Sequence, residues 1–154
     1  MGPPPATAVR PAVPGDLPRI VQFNLAMAQE TQAMVLDPEV AHKGAAAALA
    51  YPDKGRYYVV EAEGQVVAQT LITTEWSDWR NGRFWWIQSV YVLPEWRGRG
   101  IFRLLYEYLQ SRARACGDVR GLRLYVHRGN EDARAVYERV GMTESEYVMY
   151  ETAF

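Results

Sequence analysis

The spacing of hydrophobic and polar positions changes several times along this chain, and each change marks an element. "TAVRPAV" reads as a short strand whose prolines suit only a sheet edge. After "PGD", Ile20, Val21, Phe23, Leu25 and Met27 fall in a helix-forming stretch that runs to about Ala33. "DPEVAHKGAAAALA" predicts a second helix, with Asp37 as N-cap, Pro38 at the first position and Tyr51-Pro52 as the stop, although Gly44 weakens it. "RYYVVEAEGQVVAQTLITT" holds two β-rich runs around Glu63-Gly64, the pattern of a hairpin. "EWSDWRNGR", with Asn81-Gly82 at its tip, turns the chain again into "FWWIQSVYVLP", a nearly all-apolar strand of the kind covered on both faces.

In the second half Ile101, Leu104, Leu105, Tyr108 and Leu109 form a helical stripe that Gly117 ends. "GLRLYVH" is a short strand, and strand-helix-strand order implies parallel, right-handed packing. "GNEDARAVYERVGM" is a helix capped by Asn130, with Glu131 and Asp132 at its positive end. Ala133, Val136, Tyr137 and Val140 are its buried stripe, and Gly141 is its stop. "TESEYVMYETAF" is expected to close the sheet as a last strand. No repeat or linker divides the chain, so residues 1–154 are expected to form a single domain behind a short disordered leader, residues 1–6.

A chain of 154 residues can bury about 68–70% of its unfolded surface without covalent staples. Cys116 is alone, so no internal disulfide is possible. No apolar run approaches the roughly 20 residues needed to cross a bilayer, and no signal-like hydrophobic segment opens the chain. These features fit a cytoplasmic protein with no membrane partner. A net charge of −1 gives no reason to expect a nucleic-acid partner. Its distribution is uneven: from Arg97 to Arg139 ten arginines face five acids, a local balance of +5, and the remainder carries −6. Such asymmetry suits an anion at one end and a cation at the other, or simply solvated helix faces.

The junction "VLPEWRGRGIFRLL" is odd for a helix start. That end of a helix is already positive and usually carries Ser, Thr, Asp or Asn, yet here stand Arg97, Gly98, Arg99 and Gly100. Free backbone N–H groups with flanking glycines and forked guanidinium donors make an anion site, and a di- or polyphosphate supplies the missing counter-charge. A tight surface turn with solvated arginines is the plainer alternative. No G-K-S/T follows, as a Walker loop requires, and the third glycine of a dinucleotide fingerprint would fall near Arg103.

The order "VYVLPEWRGRGIFRLL" then "LRLYVHRGNEDARAVYERVGM" resembles the GNAT superfamily of acyl-CoA-dependent N-acyltransferases. The first stretch is similar to motif A, Q/R-x-x-G-x-G/A, with Arg97 and Gly100 in register and Phe102 at the last position, where Gly or Ala is usual. The second is similar to motif B, N-x-x-A-x-x-x-Y, at Asn130, Ala133 and Tyr137. Residues 56–152 carry the resemblance well, and the first 50 only by element order.

The resemblance implies an α/β (α+β) fold: a mixed, mostly antiparallel sheet with helices on both faces and a splayed parallel pair, the strands of Val90–Val92 and Leu122–Val126. Acetyl-CoA is the implied co-substrate. Its pantetheine arm would lie in the splay along Val90, Tyr91 and Val92, and its pyrophosphate against Arg97, Gly98, Arg99, Gly100, Ile101 and Phe102. Asn130 is implied to contact the pantetheine, although it suffices as a helix cap. An N–H near Val92 would polarise the thioester, and Tyr137 would protonate the departing thiolate. Tyr137 also lies on an apolar stripe, where a tyrosine can be simply core.

The motifs do not specify the base that relieves the acceptor amine of its proton. Glu30, Glu75 and Asp78 are the candidates, and His127 is a weaker one. Glu75 and Asp78 lie in an aromatic cluster of Trp76, Trp79, Trp85 and Trp86, where a cationic amine could be held by charge and cation–π contact. Glu75 and Asp78 could equally decorate a turn. His42 and His127 are too isolated for a metal site. The expected activity is direct acetyl transfer to a primary amine, small molecule or peptide, with a homodimer possible. A non-catalytic acyl-CoA sensor and an interaction domain with exposed tryptophans are the alternatives.

Overall fold

The computed structural model describes residues 6–154, so the expected leader falls outside the described residues except for Ala6. Its elements are β1 (Ala8–Pro11), α1 (Leu17–Gln32), α2 (Pro38–Ala50), β2 (Arg56–Ala62), β3 (Gln65–Ser77), β4 (Gly82–Val92), α3 (Ile101–Ala115), β5 (Val119–Arg123) and α4 (Glu131–Arg139). The strands lie in chain order in one mixed sheet, antiparallel from β1 to β4 and parallel between β4 and β5.

Local chemistry explains most boundaries. Asp37 accepts from the N–H groups of Glu39 (2.8 Å) and Val40 (3.4 Å), and Pro38 opens α2. Glu63 and Gly64 both have positive φ (51° and 76°), as a two-residue turn matching the strand twist requires. β1 is an edge strand, as its prolines demand.

Alternation along β2 separates two hydrophobic layers. Tyr57 packs with Ile20 of α1 and with Ala45 and Ala48 of α2. Its neighbour Tyr58 joins Val60, Ile101, Leu105 and Leu109 in the larger layer under α3. Consecutive side chains of a strand face opposite ways, so α1 and α2 cover one face and α3 the other. Val136 and Tyr137 of α4, with Val140 at its C-cap, pack against the α3 layer. The stripe of α3 is wider than its spacing predicts, because Phe102, Tyr106 and Ala113 are buried while Leu104 and Tyr108 are only half-buried.

Three expectations are overturned. Residues 143–154 form no strand and are exposed throughout: a strand needs a ladder, and none of the described strands pairs with them. The stripe of α4 is half-buried rather than buried, since that helix packs along one margin of the α3 layer. The strand expected over 121–127 is Val119–Arg123, and Leu124–Val126 leave the ladder.

The β4–β5 junction is clamped at one end. Arg120 donates to the carbonyls of Arg80 (3.1 Å), Asn81 (2.8 Å) and Gly117 (3.2 Å), and the Arg83 N–H donates to Asp118 O (2.9 Å). Gly82 is required there, because an added Cβ would sit 2.6 Å from Asp118 O.

Candidate active site

The clamp sets up a gap. β4 and β5 pair from Arg83–Val119 to Trp86–Arg123 and then stop, although β4 runs on to Val92. Beyond Trp86 the main chain of β4 has no β5 partner, and such groups need another acceptor or donor. A bulge shapes this segment. Gln69 pairs with Tyr91 and Leu71 with Gln88, so Ser89 and Val90 together oppose Thr70, and Ser89 has φ of 52°.

Buried polar side chains hold the bulge. Thr70 Oγ1 donates to Gln88 O (2.8 Å), while Gln69 Nε2 donates to Ser89 O (3.1 Å) and to Asn24 Oδ1 (2.7 Å). Both Gln69 and Thr70 are fully buried. Sequence reasoning missed these residues. Their signal was two adjacent polar side chains inside the apolar run "VVAQTLI", an arrangement that costs desolvation unless each group is paired. After the bulge the Leu93 N–H turns to Val67 O (2.9 Å) in β3. Strand alternation therefore turns the Val92 N–H toward the gap.

At the mouth of the gap stands the glycine-arginine corner. Gly98 and Gly100 have φ of 73° and 75°, a left-handed conformation that glycine adopts without a steric penalty. Gly100 is the N-cap of α3 and offers no capping side chain. Among the described residues no backbone carbonyl or side chain accepts from the N–H groups of Gly98, Gly100, Ile101 or Phe102. Bare amides converging at a positive helix end suit a pyrophosphate.

The two arginines differ. Arg99 lies over the Trp96 ring, 5.1 Å from its centroid. Arg97 has a counter-charge within the protein, contrary to the expectation that the ligand alone supplies it. Its Nη2 donates to Glu30 Oε2 (2.7 Å) and its Nε to Val92 O (2.9 Å), and it lies over the Tyr91 ring. The chain spacing of Glu30 and Arg97 concealed this pair; α1 brings them together.

Glu30 also accepts from the Tyr91 hydroxyl at 2.8 Å. Partial burial alone pushes the Glu30 carboxyl up, but donors from Arg97 and Tyr91 outweigh it and hold the group below its ordinary range. Burial and the Glu30 contact push the Tyr91 phenol up.

Phe102 turns inward, away from the corner. It is buried, stacked on Tyr106 (6.1 Å) and edge-on to Tyr137 (5.3 Å). The side chain that departs from motif A thus forms part of the wall beside Tyr137, and its N–H stays free. Burial raises the Tyr137 phenol above its ordinary pKa, which keeps a proton on it. Asn130 caps α4, its Oδ1 accepting from Ala133 N (3.2 Å).

The tryptophans do not form one cluster. Trp85 faces the α3 layer, and Trp76 and Trp79 are exposed. Glu75 lies within β3 rather than after it. Its Oε1 accepts from Trp86 Nε1 (2.8 Å) and from Arg123 (3.2 Å), so one oxygen carries both donors. Tyr125 lies 6.1 Å from the Trp86 ring, and Arg123 stacks on Phe84 at 3.6 Å. Glu75, Trp86 and Tyr125 therefore meet where the β4–β5 ladder ends. Asp78 is apart from them in the turn, accepting from Trp79 N (3.1 Å). His127 accepts from Gly129 N (3.2 Å).

Comparison with protein families matches residues 24–142 to the acetyltransferase (GNAT) family. Comparison with curated proteins finds no match. Among solved structures, a possible acetyltransferase from Clostridium difficile 630 is 44% identical, with a TM-score of 0.90 over 96% of this chain and 97% of that one. A predicted acetyltransferase with acetyl-CoA from Clostridium acetobutylicum is 17% identical, with a TM-score of 0.76 over 95% and 96% of the two chains. AAC(6')-Iy in complex with the bisubstrate analog CoA-S-monomethyl-acetylneamine is 15% identical, with a TM-score of 0.75 over 96% and 98%.

Proposed function

The chain belongs to the GNAT family of N-acetyltransferases and uses acetyl-CoA, and from that premise we propose that it passes the acetyl group directly to a primary amine, both substrates being bound together. The observation that carries this reading is the gap beyond Trp86–Arg123, which opens beside a helix end whose amides are bare. Acetyl-CoA supplies the thioester. The amides of Gly98, Gly100, Ile101 and Phe102, with Arg99, hold the pyrophosphate. The main chain of Val90 and the Val92 N–H, on the side of β4 turned away from β3, pair with the pantetheine arm as a neighbouring strand would, and Asn130 contacts it from the start of α4.

In this reading the Val92 N–H donates to the carbonyl oxygen as negative charge develops on it, an effect worth about 3–4 kcal/mol in preorganised sites. Tyr137 gives its phenolic proton to the sulfur that leaves. Its raised pKa supports that role, since the phenol then holds its proton until the thiolate takes it.

Glu30 is a positioning residue in this reading. Its two oxygens are committed to Arg97 and Tyr91, and its lowered pKa makes it a weak base. Glu75, whose two protein donors both fall on Oε1, leaves Oε2 to receive the amine and to take the proton its nitrogen must lose to bond the acetyl carbon. Trp86 and Tyr125 beside it favour a cationic acceptor.

The test is Tyr137→Phe, assayed by release of free CoA thiol across a panel of amines. The expected result is a fall in kcat of about 10²-fold or more with the acetyl-CoA-induced rise in Tm unchanged. A variant that turns over as fast as the parent would remove Tyr137 from the chemistry. An unchanged parent Tm at millimolar acetyl-CoA would remove the binding site.

A further inference from the structure

Arg123 is the last residue of β5 to pair with β4, so its side chain stands where the gap begins. The guanidinium carbon lies over the Phe84 ring, 3.6 Å from its centroid, and Nη1 donates to Glu75 Oε1 at 3.2 Å. A planar fork stacked on a ring is fixed in direction as well as in place. Nη1 is spent on Glu75, whereas Nε and Nη2 meet no acceptor among the described residues, and the side chain is 31% exposed. The fork is therefore held by the protein and still has donors to give.

The charges around it do not balance. Arg80 lies over the same ring at 5.3 Å and forms no ion pair among the described residues. Arg83 and Asp118 neutralise each other at 2.9 Å. That leaves Arg80, Arg120 and Arg123 at this end of the gap against Glu75 and Asp78, one positive charge in excess. An acceptor whose only charge is an ammonium would enlarge the excess. It would also sit against the guanidinium that already shares Glu75, and like charges at close range repel. An ammonium that brings its own anion removes the conflict, because the anion meets the free donors of Arg123 while the ammonium meets Glu75 Oε2. Both subsites flank the single Glu75–Arg123 contact, so one small molecule spans them.

We propose that the acceptor is a zwitterion, an amine carrying a carboxylate on the same small molecule, and that Arg123 is the residue that selects it by binding the carboxylate. The inference rests on the reading of Glu75 as the carboxylate that receives the amine. Charges then alternate through the site, from Glu75 to the ammonium, to the acceptor's carboxylate and back to Arg123, with Arg80 adding to the field. A guanidinium suits the task because its N–H groups match the two oxygens of a carboxylate. Anchoring the acid end also fixes the direction in which the nitrogen points, which is how a remote charged group contributes to a transfer reaction.

Titration calorimetry of the full chain saturated with CoA, which has no acetyl group to transfer, tests this with α-, β- and γ-amino acids, each beside its own amide. The expected result is an amino acid that binds about tenfold or more tightly than its amide, with the same preference in kcat/KM for release of CoA thiol from acetyl-CoA. Arg123→Met keeps an unbranched apolar stem on Phe84 and is expected to bring the acid-to-amide ratio close to one, which a merely structural role for Arg123 would not do. Should Arg123→Met not fold, Arg80→Met is expected to lower the ratio severalfold. Amides that bind and react as well as the acids overturn the proposal and leave amine acetylation standing. So does a preference that survives the substitution, or a panel in which no amino acid binds. An absent rise in Tm at millimolar acetyl-CoA, with no turnover of any amine, overturns the underlying reading together with this one.

Discussion

The two ends of the sheet are finished to different degrees. From β1 to β4 the strands are paired on the sides facing one another, and Val59, Val60, Val67 and Ala68 have no exposed surface. After Ala113 none of the described residues is buried, although Leu122, Leu124, Val136, Tyr137 and Met142 are apolar and in contact with the α3 layer. The first region is a core in the ordinary sense. The second is a set of half-covered surfaces that borders the β4–β5 gap and the β5 edge with which no described strand pairs. In the proposed reading what the protein binds completes its packing, so stability and binding are coupled at that end.

Breaking the finished end has the largest expected effect. Leu105→Ala removes a fully buried side chain beneath α3 and is expected to cost about 2–5 kcal/mol, read as a lower Tm and urea midpoint. The same end holds Asp16, which accepts from Arg10 at 2.8 and 3.1 Å and from Val13 N at 2.8 Å. The hydrogen bonds from Arg10, with that of Val13, hold its carboxyl below the ordinary range against the effect of burial. A depressed folded-state pKa stabilises above the unfolded value and is lost as pH falls through the folded one. Asp16→Asn is expected to cost roughly 1.5–3 kcal/mol at neutral pH. The difference from the parent should close below the ordinary aspartate range, and a gap that persists in strong acid would assign the effect to packing.

At the border between the two regions, Gly82→Ala drives a methyl into Asp118 O and the Arg120 side chain. It is expected to cost about 1–3 kcal/mol and to shrink the acetyl-CoA-induced rise in Tm as the clamp shifts. The smallest effect belongs to the open end. Val136→Ala is expected to cost roughly 1 kcal/mol or less, since a half-exposed side chain forfeits less transfer energy. Hydrogen exchange sharpens the comparison: amides of β5 and α4 should exchange faster than those of β2 and β3 and gain protection with acetyl-CoA. Equal protection in both regions without ligand would erase the distinction.

Legibility in the sequence followed the same divide. The Asp37 cap, the Glu63-Gly64 turn and the edge position of β1 were readable because each depends on a few neighbouring residues. The glycine-arginine corner and the Asn130 cap were readable for the same reason. The Glu30–Arg97 pair and the Asn24–Gln69–Ser89 network were not, because they join positions 67, 45 and 20 residues apart that only the sheet and the packing of α1 on it bring together. The tail misled for a third reason. Its residues favour a strand, but propensity does not supply a partner to pair with.

The Arg120 clamp has a mechanical consequence. With β4 and β5 fastened near Gly82 and free past Trp86, a slight rocking of β5 is magnified at the far end, as the points of a pair of compasses move more than the joint. The width of the gap can adjust there while every rung nearer the joint stays whole.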